Sequence, residues 1–134
     1  MSATAGKPWW RRWFGTRSER AAARFLRRLG YRILIRNYTC DLGELDIIAL
    51  DGTCIVFVEV RSTEGTNHEQ PAASVDFAKQ KRLSRLALSF LKRKRLLGRA
   101  ARFDVLTLSW PQAQSKPTFQ HIKNAFDVVG DFDY

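Results

Sequence analysis

Two β-rich runs, Glu44 to Leu50 and Thr53 to Val60, are separated by nothing but the dipeptide Asp51-Gly52. Asp-Gly between such runs is a strong hairpin signal, because a two-residue type I′ loop needs residues that tolerate positive φ. Read as that loop, the dipeptide makes Leu50 face Thr53, Asp46 face Phe57 and Glu44 face Glu59. Side chains alternate faces along a strand, so Glu44, Asp46, Glu59 and Arg61 project to one side. Asp46 and Glu59 are then diagonal neighbours about 7–8 Å apart at the backbone, close enough for two carboxylates to share an ion.

The surroundings make these acids informative. The remaining strand positions are almost wholly apolar: Leu45, Ile47, Ile48, Ile55, Val56, Phe57, Val58 and Val60. Carboxylates set among them are costly unless a cation compensates their lost hydration. Glu44 opposite Glu59 would add like-charge repulsion. A hard divalent ion, Mg²⁺ (or Mn²⁺), accepts oxygen ligands while retaining waters, and can stabilise charge on a phosphodiester. The plainer alternative is that Glu44 is solvated at the strand's start while Glu59 pairs with Arg61 on the same face.

Around this unit the rest of the chain arranges itself. A helix is expected from about Arg17 to Leu29, with Thr16 and Glu19 in capping-box spacing and Ala22, Phe25, Leu26 and Leu29 as its apolar stripe. Tyr31–Arg36 alternates as a strand and Asn37–Gly43 reads as a loop. After a polar loop at 62–73, a long helix runs from about Ser74 to Leu97. Strands follow at Arg102–Leu108 and Phe119–Ile122, with a turn between them and a short helical turn from Asn124. The order α-β-β-β-α-β-β predicts a single α/β domain, a mixed sheet flanked by helices. Its 134 residues suit one domain, and a 45% hydrophobic share excludes wholesale disorder. Residues 1–15 read as a basic, aromatic, flexible leader, 16–127 as the folded domain and 128–134 as an acidic tail.

Charge narrows the partners. Twenty-three Lys and Arg against 13 Asp and Glu give +10, which favours a polyanion: nucleic acid or an anionic membrane surface. The second helix concentrates the excess, with Lys79, Lys81, Arg82, Arg85, Lys92, Arg93, Lys94 and Arg95 against a single acid, Asp76. Arg20 and Arg24 line the first. Cys40 and Cys54 match no metal-ligand spacing and are too few for a disulfide framework, so a reducing cytoplasm is the expected compartment. No apolar run reaches the roughly 20 residues of a membrane span, and no apolar segment of a signal peptide follows the first charges. His68 and His121 offer no ligand spacing.

The motifs Gly43-Glu44-Leu45-Asp46-Ile47-Ile48-Ala49 and Phe57-Val58-Glu59-Val60-Arg61 resemble the signature of the YraN-like family of bacterial proteins. Glu19 with Ala22 and Leu26, Lys79-Gln80, Arg102-Phe103-Asp104-Val105 and Ile122-Lys123-Asn124-Ala125-Phe126 fit the same pattern, over roughly residues 15–127. That family is similar to the restriction-endonuclease-like fold, which includes archaeal Holliday junction resolvases. The resemblance implies Asp46 and Glu59 as metal ligands and Glu19 as an assisting acid on the first helix. It also implies Gln80, or Lys79 beside it, as a polar helix residue facing the site. Arg61 stands where the nuclease superfamily usually has Lys. Arginine does not deprotonate near neutral pH, but it can hold a phosphate by two hydrogen bonds. Resolvases of this fold pair, so a homodimer is implied as well.

The expected function is therefore nucleic-acid binding with Mg²⁺-dependent, endonuclease-like hydrolysis of DNA (DNA rather than RNA, and branched or damaged DNA among the substrates). Arg20, Arg24, Lys79, Lys81, Arg82 and Arg85 would grip the backbone. Two alternatives stand beside it. One is a nucleic-acid-binding module without catalysis. The other is a membrane-surface or partner-docking protein that uses Trp9, Trp10 and Trp13 with the adjacent arginines.

Overall fold

The computed structural model describes residues 9–64, 75–111 and 116–128. Its elements follow the expected order: α1 (Trp9–Arg28), β1 (Arg32–Cys40), β2 (Gly43–Asp51), β3 (Cys54–Glu64), α2 (Phe77–Arg93), β4 (Ala101–Trp110) and β5 (Thr118–Phe126). The five strands form one mixed sheet in the order β1-β2-β3-β4-β5. Only β3 and β4 are parallel, and α2 carries the chain across between them.

Both faces of the sheet are covered, which is why β2, β3 and β4 read as apolar runs rather than alternating ones. On one face Ala22, Ala23 and Leu26 of α1 pack on Ile47, Val56, Val58, Leu106 and Leu108. On the other, Leu83, Leu86, Ala87 and Phe90 of α2 pack on Leu45, Ile48, Phe57, Phe103 and Val105. Phe57 meets Phe90 edge-on at 6.0 Å between ring centroids and lies 5.5 Å from Phe103. Fixed aromatic contacts of this kind hold α2, and the basic side chains it carries, at one position over the sheet.

Several boundaries differ from expectation. Helix α1 starts at Trp9, so residues 9–15 extend a helix that was expected to begin at Arg17, and Glu19 lies inside it rather than capping its start. The remainder of the expected leader, 1–8, and the tail from 129 lie outside the described residues, as do 65–74 and with them His68. Strand β1 does not stop at Arg36 but passes through Asn37, which takes φ +57°, and continues to Cys40. Asn tolerates that conformation better than most residues, so a strand interior looked like a loop. Strand β5 likewise runs past Asn124, where a helical turn was expected. Asn124 takes φ +52° at a register shift, and its N–H donates to Asp104 Oδ1 at 3.0 Å. Helix α2 begins later, at Phe77, with Asp76 as N-cap accepting from Lys79 N at 2.8 Å.

The hairpin keeps a two-residue loop but moves it by one residue. Asp51 pairs with Cys54 and Ile47 with Val58, leaving Gly52-Thr53 as the loop instead of Asp51-Gly52. Gly52 alone of the two has positive φ, +62°, whereas a type I′ turn needs it at both. Asp51 is kept in the strand by Arg102, whose guanidinium donates to Asp51 Oδ2 at 2.9 Å. The shift leaves strand parity intact but changes the opposed pairs. With Ile47 opposite Val58, Glu59 comes level with Asp46 rather than Glu44, so the expected Glu44–Glu59 opposition does not occur.

Candidate active site

The β2–β3 ladder has Ile47↔Val58 as its last pair, and one residue beyond it stand Asp46 and Glu59. Asp46 is therefore nearer to Glu59 in register than the diagonal placement expected from sequence. Both are buried, at 3% and 7% exposure. Asp46 Oδ2 accepts from the N–H of Val60 at 2.9 Å, taking the place of a ladder partner where regular pairing has ended. Glu59 forms an ion pair with the Nζ of Lys79, delivered from the first turn of α2. The two acids that the hairpin was expected to bring together thus lie side by side on adjacent strands, and each has a protein contact.

A third acid approaches from the opposite layer. Glu19 of α1 is buried at 7% exposure, and the amide of Asn37 donates to its carboxylate at 3.0 Å. Asn37 lies in β1 between Arg36 and Tyr38, whose partners Ile47 and Leu45 flank Asp46. The positive φ at Asn37 and the acid at position 46 thus occupy the same level of the sheet. Glu19 meets Asn37 on the side of the sheet that α1 covers, while Glu59 meets Lys79 of α2. Asn37 was missed from sequence because it was read as loop. Its signal was an Asn between strand-like residues where an αL conformation is affordable.

The other expected site residues fall as follows. Arg61 is half-buried on β3, two residues beyond Glu59 and on the same side of the strand. Gln80 donates from Nε2 to the carbonyl of Val75 at 2.7 Å, closing the start of α2, so Lys79 and not Gln80 is the helix residue that reaches the acids. Lys81, Arg82 and Arg85 are exposed on the outer side of α2, and Arg20 and Arg24 are exposed on α1. Among the described residues, no group of three His, Cys, Asp or Glu is gathered in metal-ligating geometry. The donor chemistry nevertheless suits a hard divalent ion, which is commonly held by one or two carboxylates together with waters and substrate phosphate.

A separate polar cluster lies on the α1 face around Asp104 of β4, which has no exposed surface. Its Oδ1 accepts from Arg102 Nε at 2.9 Å and from the Asn124 N–H. Its Oδ2 contacts His121 Nε2 at 2.8 Å and accepts from the Tyr31 hydroxyl at 3.3 Å. Burial pushes the Asp104 carboxyl up, but the bonds from His121, Arg102 and Asn124 outweigh it and hold the group below the ordinary carboxylate value. Burial, with Asp104 next, raises the Tyr31 hydroxyl to about 12. The bond to Asp104 holds the Arg102 guanidinium above its ordinary value against the opposing effect of burial. This cluster ties β4 to β5, to the hairpin end at Asp51 and to Tyr31 just before β1, so its role is architectural. His121, which offers no ligand spacing in the sequence, is built into this network.

The comparisons with known proteins converge on one family. The profile of Uncharacterised protein family UPF0102 matches residues 18–108, a segment that contains Glu19, Asp46, Glu59 and Asp104. A UPF0102 protein of Rhodopirellula baltica is 44% identical over 119 residues, covering 87% of this chain and 71% of the relative. A UPF0102 protein of Geobacter sulfurreducens is 44% identical over 117 residues, covering 86% and 89%. One from Moorella thermoacetica is 45% identical over 116 residues, covering 87% and 97%.

Proposed function

From the premise that this chain belongs to the UPF0102 family, as its YraN-like motifs led us to expect, we propose that it binds nucleic acid and hydrolyses phosphodiester bonds in DNA with a divalent metal ion. The observation that carries this reading is the adjacency of two buried carboxylates, Asp46 and Glu59, at the end of a β-ladder in a chain of charge +10. Acids in a basic protein that aims to be soluble belong on its surface, and these are in its interior.

Asp46 and Glu59 are the residues that would hold Mg²⁺ or Mn²⁺. When bound, such an ion supplies Lewis-acid stabilisation of phosphate charge and a water of lowered pKa. The remaining work falls to the chain's own groups. The ammonium of Lys79 lies against Glu59 and holds its carboxylate in place. Arg61, beyond Glu59 on the same strand face, steadies a scissile phosphate by paired N–H donors. Glu19 and Asn37 fix β1 beside Asp46 and act as positioning residues. Exposed Lys81, Arg82 and Arg85 on α2, with Arg20 and Arg24 on α1, supply salt-sensitive contacts to the backbone.

The test is cleavage of labelled linear, flapped and four-way DNA with and without Mg²⁺. Asp46→Asn and Glu59→Gln keep shape and remove charge, and each is expected to reduce cleavage at least about 100-fold. Activity unchanged in both variants would refute the assignment. A second reading, nucleic-acid binding without hydrolysis, draws on the fact that Glu59 already has Lys79 as a counter-ion. It is distinguished by binding that needs no metal and survives both substitutions without any accompanying cleavage.

A further inference from the structure

On the outer side of α2, apart from the acids, lies a groove of about 350 Å³ lined by Leu42, Ala78, Lys81, Arg82 and Arg85. Leu42 comes from the turn between β1 and β2, so the groove runs between that turn and the helix. Its composition is unusual for a merely solvated helix face: three cations stand around exposed apolar surface. Leu42 is 46% exposed, and Phe77, at the first position of α2, is 64% exposed. The ammonium of Lys81 stands 6.0 Å from the centre of the Phe77 ring. An exposed aromatic ring at the rim of a groove lined by cations is the arrangement that holds unpaired nucleotides, since bases stack on the ring while phosphates follow the charges. A duplex, whose bases are already stacked on each other, has no use for the ring.

We propose that this groove binds single-stranded DNA, with one base stacked on Phe77 and the adjoining phosphates on Lys81, Arg82 and Arg85. The inference rests on the nucleic-acid reading above and sharpens it by naming the strand state. The groove shares its helix with Lys79, which pairs with Glu59, so a strand held there lies within a turn or two of α2 from the acids. A substrate combining duplex with an unpaired segment would engage both.

The experiment is fluorescence anisotropy in EDTA, where hydrolysis is suppressed, using labelled single-stranded DNA, the same sequence as duplex, and single-stranded RNA. The full chain is compared with Phe77→Ala, Phe77→Trp and Arg82→Gln/Arg85→Gln. Phe77→Ala is expected to weaken single-stranded DNA binding at least about fivefold, with duplex binding changed less than twofold. Phe77→Trp is expected to keep wild-type affinity and to deepen the tryptophan fluorescence quench on binding relative to the wild type. The double Arg variant is expected to lower the salt dependence of single-strand binding by roughly two phosphate contacts. Equal loss on single strand and duplex, tighter binding of RNA than DNA, or no effect of Phe77→Ala would each overturn the proposal. Because these affinities are read in EDTA, without metal or hydrolysis, a failed nuclease assignment and a failed groove assignment give different results.

Discussion

Replacing Asp104 with Asn should be one of the most damaging isosteric changes available to this fold. The carboxylate sits at 0% exposure and gathers Arg102, His121, Tyr31 and the Asn124 N–H on its two oxygens. Asn keeps one acceptor and turns the other into a donor aimed at donors. It also leaves the Arg102 charge with only Asp51, whose side chain is 38% exposed. About two charge-assisted bonds are lost, at about 1.5–3 kcal/mol each. The total, about 3–6 kcal/mol, spans the usual cost of breaking a buried ion pair from one side, about 3–5 kcal/mol. That is a large share of the roughly 5–15 kcal/mol that holds a domain together. Asp51→Asn, at the exposed end of the same network, should cost under about 1 kcal/mol. The assay is urea unfolding followed by circular dichroism at pH 7. A second signature follows from protonation. The folded Asp104 titrates below its ordinary value of 3.8, so its stabilisation is complete above that value and is lost as pH falls through the lower, folded one. The gap between wild type and Asp104→Asn should therefore narrow below about pH 4. A cost under about 1 kcal/mol for Asp104→Asn, or a gap independent of pH, would refute the reasoning.

Further outcomes follow from other parts of the structure. The Tyr31 hydroxyl is raised from 10.0 to about 12, so the contribution of its neutral form is complete below pH 10 and is lost as pH climbs toward 12. Wild type should lose on the order of 2 kcal/mol more than Tyr31→Phe across that window in unfolding titrations, and parallel curves would count against it. Gly43 has φ +137° and its missing Cβ would meet Leu86 Cδ1 at 3.4 Å. Gly43→Ala should cost about 1–3 kcal/mol through backbone strain, read as a lower urea midpoint, and an unchanged midpoint would show that the turn adapts.

Much of the architecture could be read in the residues themselves, and the reasons are local. The Asp51-Gly52 bend between two apolar runs announced a hairpin, and continuous apolar strands announced a sheet buried on both faces. The pairing of those strands was misjudged by one residue because Arg102, far along the chain, holds Asp51 in the ladder. The slip itself brought Glu59 level with Asp46, one residue beyond the last ladder pair. What stayed hidden depended on tertiary contacts. Asn37 and Asn124 look like loop residues, yet each is an αL kink inside a strand, stabilised by Glu19 in one case and Asp104 in the other. The Asp104 cluster assembles Tyr31, Asp51, Arg102 and His121 from four separated segments, and no spacing rule joins them. Lys79 was expected both among the phosphate-binding cations and, beside Gln80, as a helix residue facing the site, and the packing of α2 turns it to Glu59.

Binding of Mn²⁺ to the DNA-free protein, followed by the loss of its free-ion electron paramagnetic signal, tests the role of the paired acids without relying on turnover. Wild type should take up one ion, and Asp46→Asn and Glu59→Gln should each weaken uptake at least about tenfold. Equal uptake by the wild type and the double variant would mean that these two carboxylates serve the sheet and Lys79 alone.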